Sequence, residues 1–226
     1  MIPPGMDAFS DPQAVARYAD NPPRMVPGYA DMQRMAMLLL AERAPDDAQV
    51  LVLGAGGGLE LKVLAEGQPG WSFVGVDPSA AMLDLARLTL GGLVNRACLL
   101  QGLIDSAPEG PFDGASCILT LHFIERHERA RTLQEVRRRL KPGAPFVVAH
   151  FSIPQDERDL WLSRYAAFAT ASGIDPTQAE SAKTGIGERL PILSPEEDEA
   201  LLQEAGFTGV SLFYAGFAFR GWVAWA

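Results

Sequence analysis

Short apolar runs at residues 50–53, 73–76, 97–101, 115–119 and 145–151 predict buried strands, each bounded by glycine, proline or charged positions. Helical spacing fills the gaps between them. Met32, Met35, Ala36, Leu39 and Leu40 line one face of a helix over 29–43. Met82, Leu83, Ala86 and Leu90 do so over 79–90, with Ser79 as N-cap. Leu133, Val136 and Leu140 mark a third helix over 126–140, stopped by Lys141-Pro142-Gly143. Ser194 and Glu197 form a capping box that opens a last helix, and Gly206 ends it. Runs at 210–214 and 217–225 then read as an antiparallel hairpin joined at Ala215-Gly216. Strand–helix alternation of this kind specifies an α/β three-layer sandwich with a mostly parallel seven-stranded sheet ending in an antiparallel hairpin.

Two segments stand outside the pattern. Residues 1–28, rich in Pro, Asp and Gly, predict irregular chain ahead of a single domain over 29–226. Residues 152–193 predict a helical insertion in which Trp161, Tyr165 and Phe168 recur at i, i+4 and i+7. That stripe is open to two readings: core or dimer packing, or a lid over a reaction centre.

The candidate chemistry begins where the first strand breaks into Gly54-Ala55-Gly56-Gly57-Gly58. Glycines there admit positive φ and let a ligand approach the backbone. A second strand ends in Asp77, 23 residues after Gly54, where a βαβ unit places a carboxylate for ribose hydroxyls. The expected Asp77 carboxylate faces a cleft and carries little packing. A dinucleotide fingerprint needs a third small residue where this chain has Leu59. The G-x-G-x-G spacing instead resembles that of S-adenosylmethionine (SAM) methyltransferases.

Further motifs sharpen the resemblance. Val26-Pro27-Gly28-Tyr29, Thr120-Leu121-His122-Phe123-Ile124, Arg139-Leu140-Lys141-Pro142-Gly143 and Glu204-Ala205-Gly206-Phe207 make the chain similar to class I SAM-dependent methyltransferases. Within that class it most resembles the carboxy-S-adenosylmethionine synthases, which serve wobble-uridine modification in tRNA. The resemblance implies SAM as cofactor and S-adenosylhomocysteine (SAH) as product. It implies Tyr29, Gly54, Ala55, Gly56, Asp77, Pro78, Met82, Leu103, Ile104 and Thr120 as cofactor contacts. Four positions depart from it. Val52 replaces an acid that serves the SAM amino group, Leu103 an acid near the adenine, and Ile118 an asparagine. Thr184 aligns with an arginine that binds the extra carboxylate of carboxy-SAM. Asp105 is the expected substitute for the acid missing at Leu103, whereas Glu60 lies too far along the helix to replace one at Val52.

His122, at the carboxyl edge of the fourth strand, is the candidate general base; His150 is open to a pocket or core reading, and His127 to solvent. Arg137, Arg138 and Arg139 resemble a nucleic-acid patch, but three arginines on a helix read first as a solvated face. Net charge is −9, which argues against nucleic acid as direct partner. Hydrophobic content of 48% suffices for one core, and no run is long enough to span a bilayer. Cys98 and Cys117 lie in apolar runs, predicting buried free thiols and a cytoplasmic location. No metal-ligand spacing occurs. The expected function is methyl transfer from SAM to a small molecule, in a homodimer. The alternatives are a carboxy-SAM synthase-like enzyme and a non-catalytic protein on the same fold.

Overall fold

The computed structural model describes residues 21–226, so residues 1–20 of the expected irregular lead-in lie outside the described residues. Within the remainder of that lead-in, Pro22–Met25 is a helical turn (α1), a correction explained by Pro22 at its first position, where a missing N–H costs nothing.

Among the described residues the strands are β1 (Gln49–Leu53), β2 (Ser72–Asp77), β3 (Ala97–Gln101), β4 (Gly114–Ile118), β5 (Pro145–Phe151), β6 (Thr208–Gly216) and β7 (Phe219–Trp225). They form one sheet in the order β3-β2-β1-β4-β5-β7-β6. β1 to β5 run parallel, and β7 pairs antiparallel with both β5 and β6. The expected three-layer α/β fold is the one observed. Because successive side chains alternate faces, β1 feeds two cores at once. Val50 and Val52 meet Met32, Ala36 and Leu40 of α2 (Tyr29–Ala41) and Leu61 and Leu64 of α3 (Leu59–Gly67). Leu51 and Leu53 meet Leu133 and Val136 of α5 (Arg126–Arg138) and Leu201 and Leu202 of α8 (Pro195–Glu204). Burying each such side chain stabilises the fold by about 1.5–3 kcal/mol, so the sheet is held from both sides.

Local signals set the helix ends. The Ser79 hydroxyl accepts from the Met82 N–H at the start of α4 (Ala80–Leu90), and the Ser194–Glu197 capping box is formed. Two expectations are corrected. The hairpin turns at Phe217-Ala218 rather than Ala215-Gly216: Phe217 takes φ +49°, and Gly216 continues β6. Gly216 is glycine because a Cβ there would lie 2.2 Å from the Tyr214 hydroxyl, which donates to Pro27 O at 2.6 Å. Cys98 is exposed, because β3 is an edge strand; Cys117, in central β4, is buried.

β2 lies on one side of β1 and β4 on the other, so the chain reverses its winding between them. In parallel α/β sheets the crevice at that reversal, beyond the carboxyl ends of the strands, is where ligands bind. The glycine turn, Asp77 and the Thr120–Phe123 loop all leave the sheet there.

Candidate cofactor cleft and adjoining cavity

The turn after β1 is shaped by backbone requirements. Gly54, Gly56 and Gly58 have φ of +75°, +49° and +81°. A Cβ on Gly54 would lie 1.9 Å from the Thr120 hydroxyl, so glycine is required by packing as well as by φ. The Gly54 and Ala55 N–H groups both donate to Val76 O, at 2.8 and 3.0 Å. Asp77 closes the arrangement: its carboxylate accepts from Gly56 N–H and Ser79 N–H, each at 2.9 Å. Asp77 is only 6% exposed, and burial raises its pKa against the opposing pull of those two N–H groups. The expectation that this carboxylate does little structural work is therefore corrected. Asp77 ties the glycine turn to the start of α4, because both ends converge on one strand terminus.

The other expected contacts separate into open and enclosed positions. Pro78 and Thr120 are partly exposed, and Leu103, after β3, is 43% exposed at the same edge. Ile104 and Met82 are buried at 1% and 2%, so their side chains serve the core. Tyr29 is buried at the start of α2, its hydroxyl accepting from Gln33 Nε2 at 2.7 Å. Asp105 does not turn toward Leu103; it pairs with Arg131 of α5 at 2.9 Å. Val52 and Ile118 are both core residues.

Beyond β4 the backbone is strained, with Leu119 at φ +57°. The chain then enters a short 3-10 turn that buries His122. The His122 Nδ1 accepts from the Phe151 N–H at 3.3 Å, which assigns the proton of the neutral ring to Nε2. Burial, helped by the charges of His150 and Arg129, holds the imidazole well below its usual pKa. In this arrangement the neutral His122 ring presents a donor at Nε2, and its lowered pKa makes it a weak proton acceptor. Its ring, in contact with Phe123 and Phe151, forms part of the wall of a cavity of about 750 Å³. Tyr165 of α6 (Arg158–Ala171) and Ile186 and Arg189 of α7 (Pro176–Arg189) form other parts. Arg189 makes no ion pair among the described residues.

The aromatic stripe divides along its length. Tyr165 is core, packed on Phe151 and Phe219. Trp161 lies beneath Arg164 and Arg220, and Phe168 meets Phe217. Thr184 faces away from the cavity, in a separate groove between α6 and α7, where its hydroxyl donates to Glu180 O. The arginine triplet is committed internally: Arg137 to Gly206 O, Arg138 to Glu109 and Glu135, and buried Arg139 to Glu135. His127 is exposed as expected.

Sequence reasoning missed two buried polar groups. Arg129, wholly buried, donates to Asp198 at 2.8 Å and to Pro191 O at 2.9 Å, with His150 Nε2 3.1 Å from the same carboxylate. The second is Glu60, in the first turn of α3, whose carboxyl lies beside the Ser116 hydroxyl. Glu60 Oε1 and Ser116 Oγ are both buried without a hydrogen-bond partner. Burial pushes the Glu60 carboxyl up to about 7. A first-turn glutamate is normally a solvated complement to the helix dipole, so the sequence carries no sign of this burial.

A family profile for a methyltransferase domain matches residues 51–146. The carboxy-S-adenosyl-L-methionine synthase of Chromohalobacter salexigens is 28% identical over 220 residues, covering 95% of this chain and 82% of its relative. A SAM-dependent methyltransferase from Aquifex aeolicus superposes with TM-score 0.64 at 18% identity, over 95% of this chain and 98% of its own. Residues 51–146 thus match a methyltransferase domain, and the whole fold is that of solved SAM-dependent methyltransferases. An O-methyltransferase family protein from Burkholderia thailandensis shares the fold at TM-score 0.72 and 16% identity, over 97% of this chain. The chain spans about three fifths of the length of the solved O-methyltransferases it matches, 61% in this case. In this fold the glycine turn, Asp77 and Thr120 are brought together at one strand edge, and His122 lines the cavity.

Proposed function

We propose that this protein transfers the methyl group of SAM to a small molecule held in the His122–Tyr165–Arg189 cavity. The observation that carries this reading is the loop after β4, in which Thr120 packs on Gly54 while His122 and Phe123 line a cavity. That cavity is aromatic-walled and measures about 750 Å³, within the usual size for small-molecule sites.

The residues fit the cofactor. In this reading Gly54, Ala55 and Gly56 supply a bare backbone surface, Asp77 takes the ribose hydroxyls, and exposed Leu103 with Pro78 offers apolar contact to the adenine. Tyr29 and Thr120, with the backbone at Met82 and Ile104, complete the proposed binding set. Bound SAM supplies a methyl group already activated on a sulfonium. The protein's work is then orientation and exclusion of water, so no dedicated base is required. The His122 Nε2–H donates to the acceptor and fixes its angle. Arg189 at the cavity wall favours an acceptor carrying negative charge.

Residues 152–193 act as the cavity wall and lid of a single domain over 29–226, in a cytoplasmic homodimer. Free Cys98 and Cys117 fit a reducing compartment, and exposed Leu160 and Phe217 offer apolar surface for a second copy. The internally committed arginine triplet favours a small molecule over nucleic acid as partner.

Calorimetry with SAM and SAH tests the reading, followed by an SAH-release screen of aromatic and anionic acceptors. Micromolar binding of both and turnover of an acceptor are expected; a folded protein that binds neither overturns it. A second reading, a carboxy-SAM synthase-like activity, draws on the whole-length similarity to those synthases. It predicts that mass spectrometry finds SAM converted to its carboxylated form when a carboxyl-donating co-substrate is supplied, the methyl group losing a proton as the new carbon–carbon bond forms.

A further inference from the structure

We propose that Glu60, with the Ser116 hydroxyl beside it, holds the ammonium group of the cofactor's amino-acid tail, a task for which β1 has no acid. The proposal rests on the SAM reading above. In the sheet order β3-β2-β1-β4, a nucleoside held by Asp77 and Leu103 occupies the β2–β3 side of the glycine turn. The amino-acid tail then extends toward β1 and β4. On that side β1 offers Val52, which is wholly buried and apolar. Ser116 of β4 lies directly opposite Val52 in the strand register. Glu60 leaves the first turn of α3, four residues beyond Gly56, and brings its carboxyl to that serine.

Glu60 Oε1 and Ser116 Oγ are both buried there without a well-formed hydrogen bond, the serine hydroxyl lying near enough to lower the carboxyl's pKa but not to satisfy it. A buried acceptor without a donor costs about 1–3 kcal/mol, and more when it is charged. Such a pair near a ligand-binding turn is explained when the ligand brings the missing donors, and an ammonium brings three. Other groups nearby do not compete. Asp77 already engages two backbone N–H groups, and burial keeps the Cys117 thiol protonated. Among the described residues no Lys, Arg or His pairs with Glu60.

Calorimetry at pH 7 on wild type, Glu60→Gln and Ser116→Ala tests this with three ligands: SAM, SAH and 5′-methylthioadenosine, which lacks the tail. Glutamine preserves size and removes a buried acid, so the variant folds; Ser116→Ala is the independent second probe. Glu60→Gln is expected to weaken SAM and SAH alike by about tenfold or more, the scale of a lost charged hydrogen bond, and to leave methylthioadenosine unchanged. Ser116→Ala is expected to do the same by a smaller factor. Repeating the titration in two buffers of different ionisation enthalpy is expected to find proton release on SAM binding to wild type and none with Glu60→Gln. Equal affinity of SAM for wild type and Glu60→Gln overturns the assignment, as does a parallel loss for methylthioadenosine. Loss for SAM but not SAH also overturns it, since the sulfonium would then be the partner. A wild type that binds none of the three instead sinks the SAM reading itself.

Discussion

Glu60→Gln should make the ligand-free protein more stable at alkaline pH. In the fold the Glu60 carboxyl titrates at about 7, against an ordinary 4.5. Between those values the native state binds a proton that the unfolded chain has released, so stability falls as pH rises. The full stability is present below about 4.5 and the loss is complete above about 8. At 1.36 kcal/mol per pH unit, carrying the carboxyl over that range costs about 3 kcal/mol. That is a large share of the 5–15 kcal/mol that holds a typical domain together. Urea unfolding of both proteins at pH 5, 6, 7 and 8 measures it. The variant's advantage over wild type should grow by about 2.5 kcal/mol from pH 5 to pH 8. His122, held well below its usual pKa, contributes the opposite slope, stability lost as pH falls below about 6.5. Both proteins share that slope, so it cancels in the difference. A flat difference, within about 1 kcal/mol across the range, refutes the claim that Glu60 ionises at a cost inside the fold. Saturating SAM should flatten the wild-type curve, because the ammonium keeps the carboxylate ionised.

Two further outcomes follow from the buried polar groups. Asp77→Ala strips the acceptor from the buried Gly56 N–H and from Ser79 N–H, and should cost about 2–4 kcal/mol in urea unfolding together with SAM affinity; an unchanged unfolding midpoint would dismiss the clasp. Asp198→Ala leaves Arg129 buried and unpaired, with an expected loss of about 3–5 kcal/mol and a melting point lower by roughly 10 °C. Replacing both, Arg129→Met with Asp198→Leu, should recover most of that stability; a double variant as unstable as Asp198→Ala would assign the loss to packing instead.

What the chain determined by itself was what depends on neighbours in sequence. Apolar runs and helical spacing located the strands and helices, and β3 and β5 fall on their expected bounds. Ser79 and Ser194 cap their helices because an N-cap bond reaches only two or three residues. The glycine turn and Asp77 were legible because a βαβ unit fixes their spacing. Tertiary structure decided the rest, by bringing together residues that carry no mutual signal. Whether Cys98 is covered depended on β3 being an edge strand. Which ring nitrogen of His122 carries the proton depended on the Phe151 amide, 29 residues away. Glu60 and Glu128 are both first-turn glutamates, yet one is sealed beside Ser116 and the other pairs with Arg131 near solvent. Burial is set by what packs above a residue, and that was decided only when distant segments of the chain met.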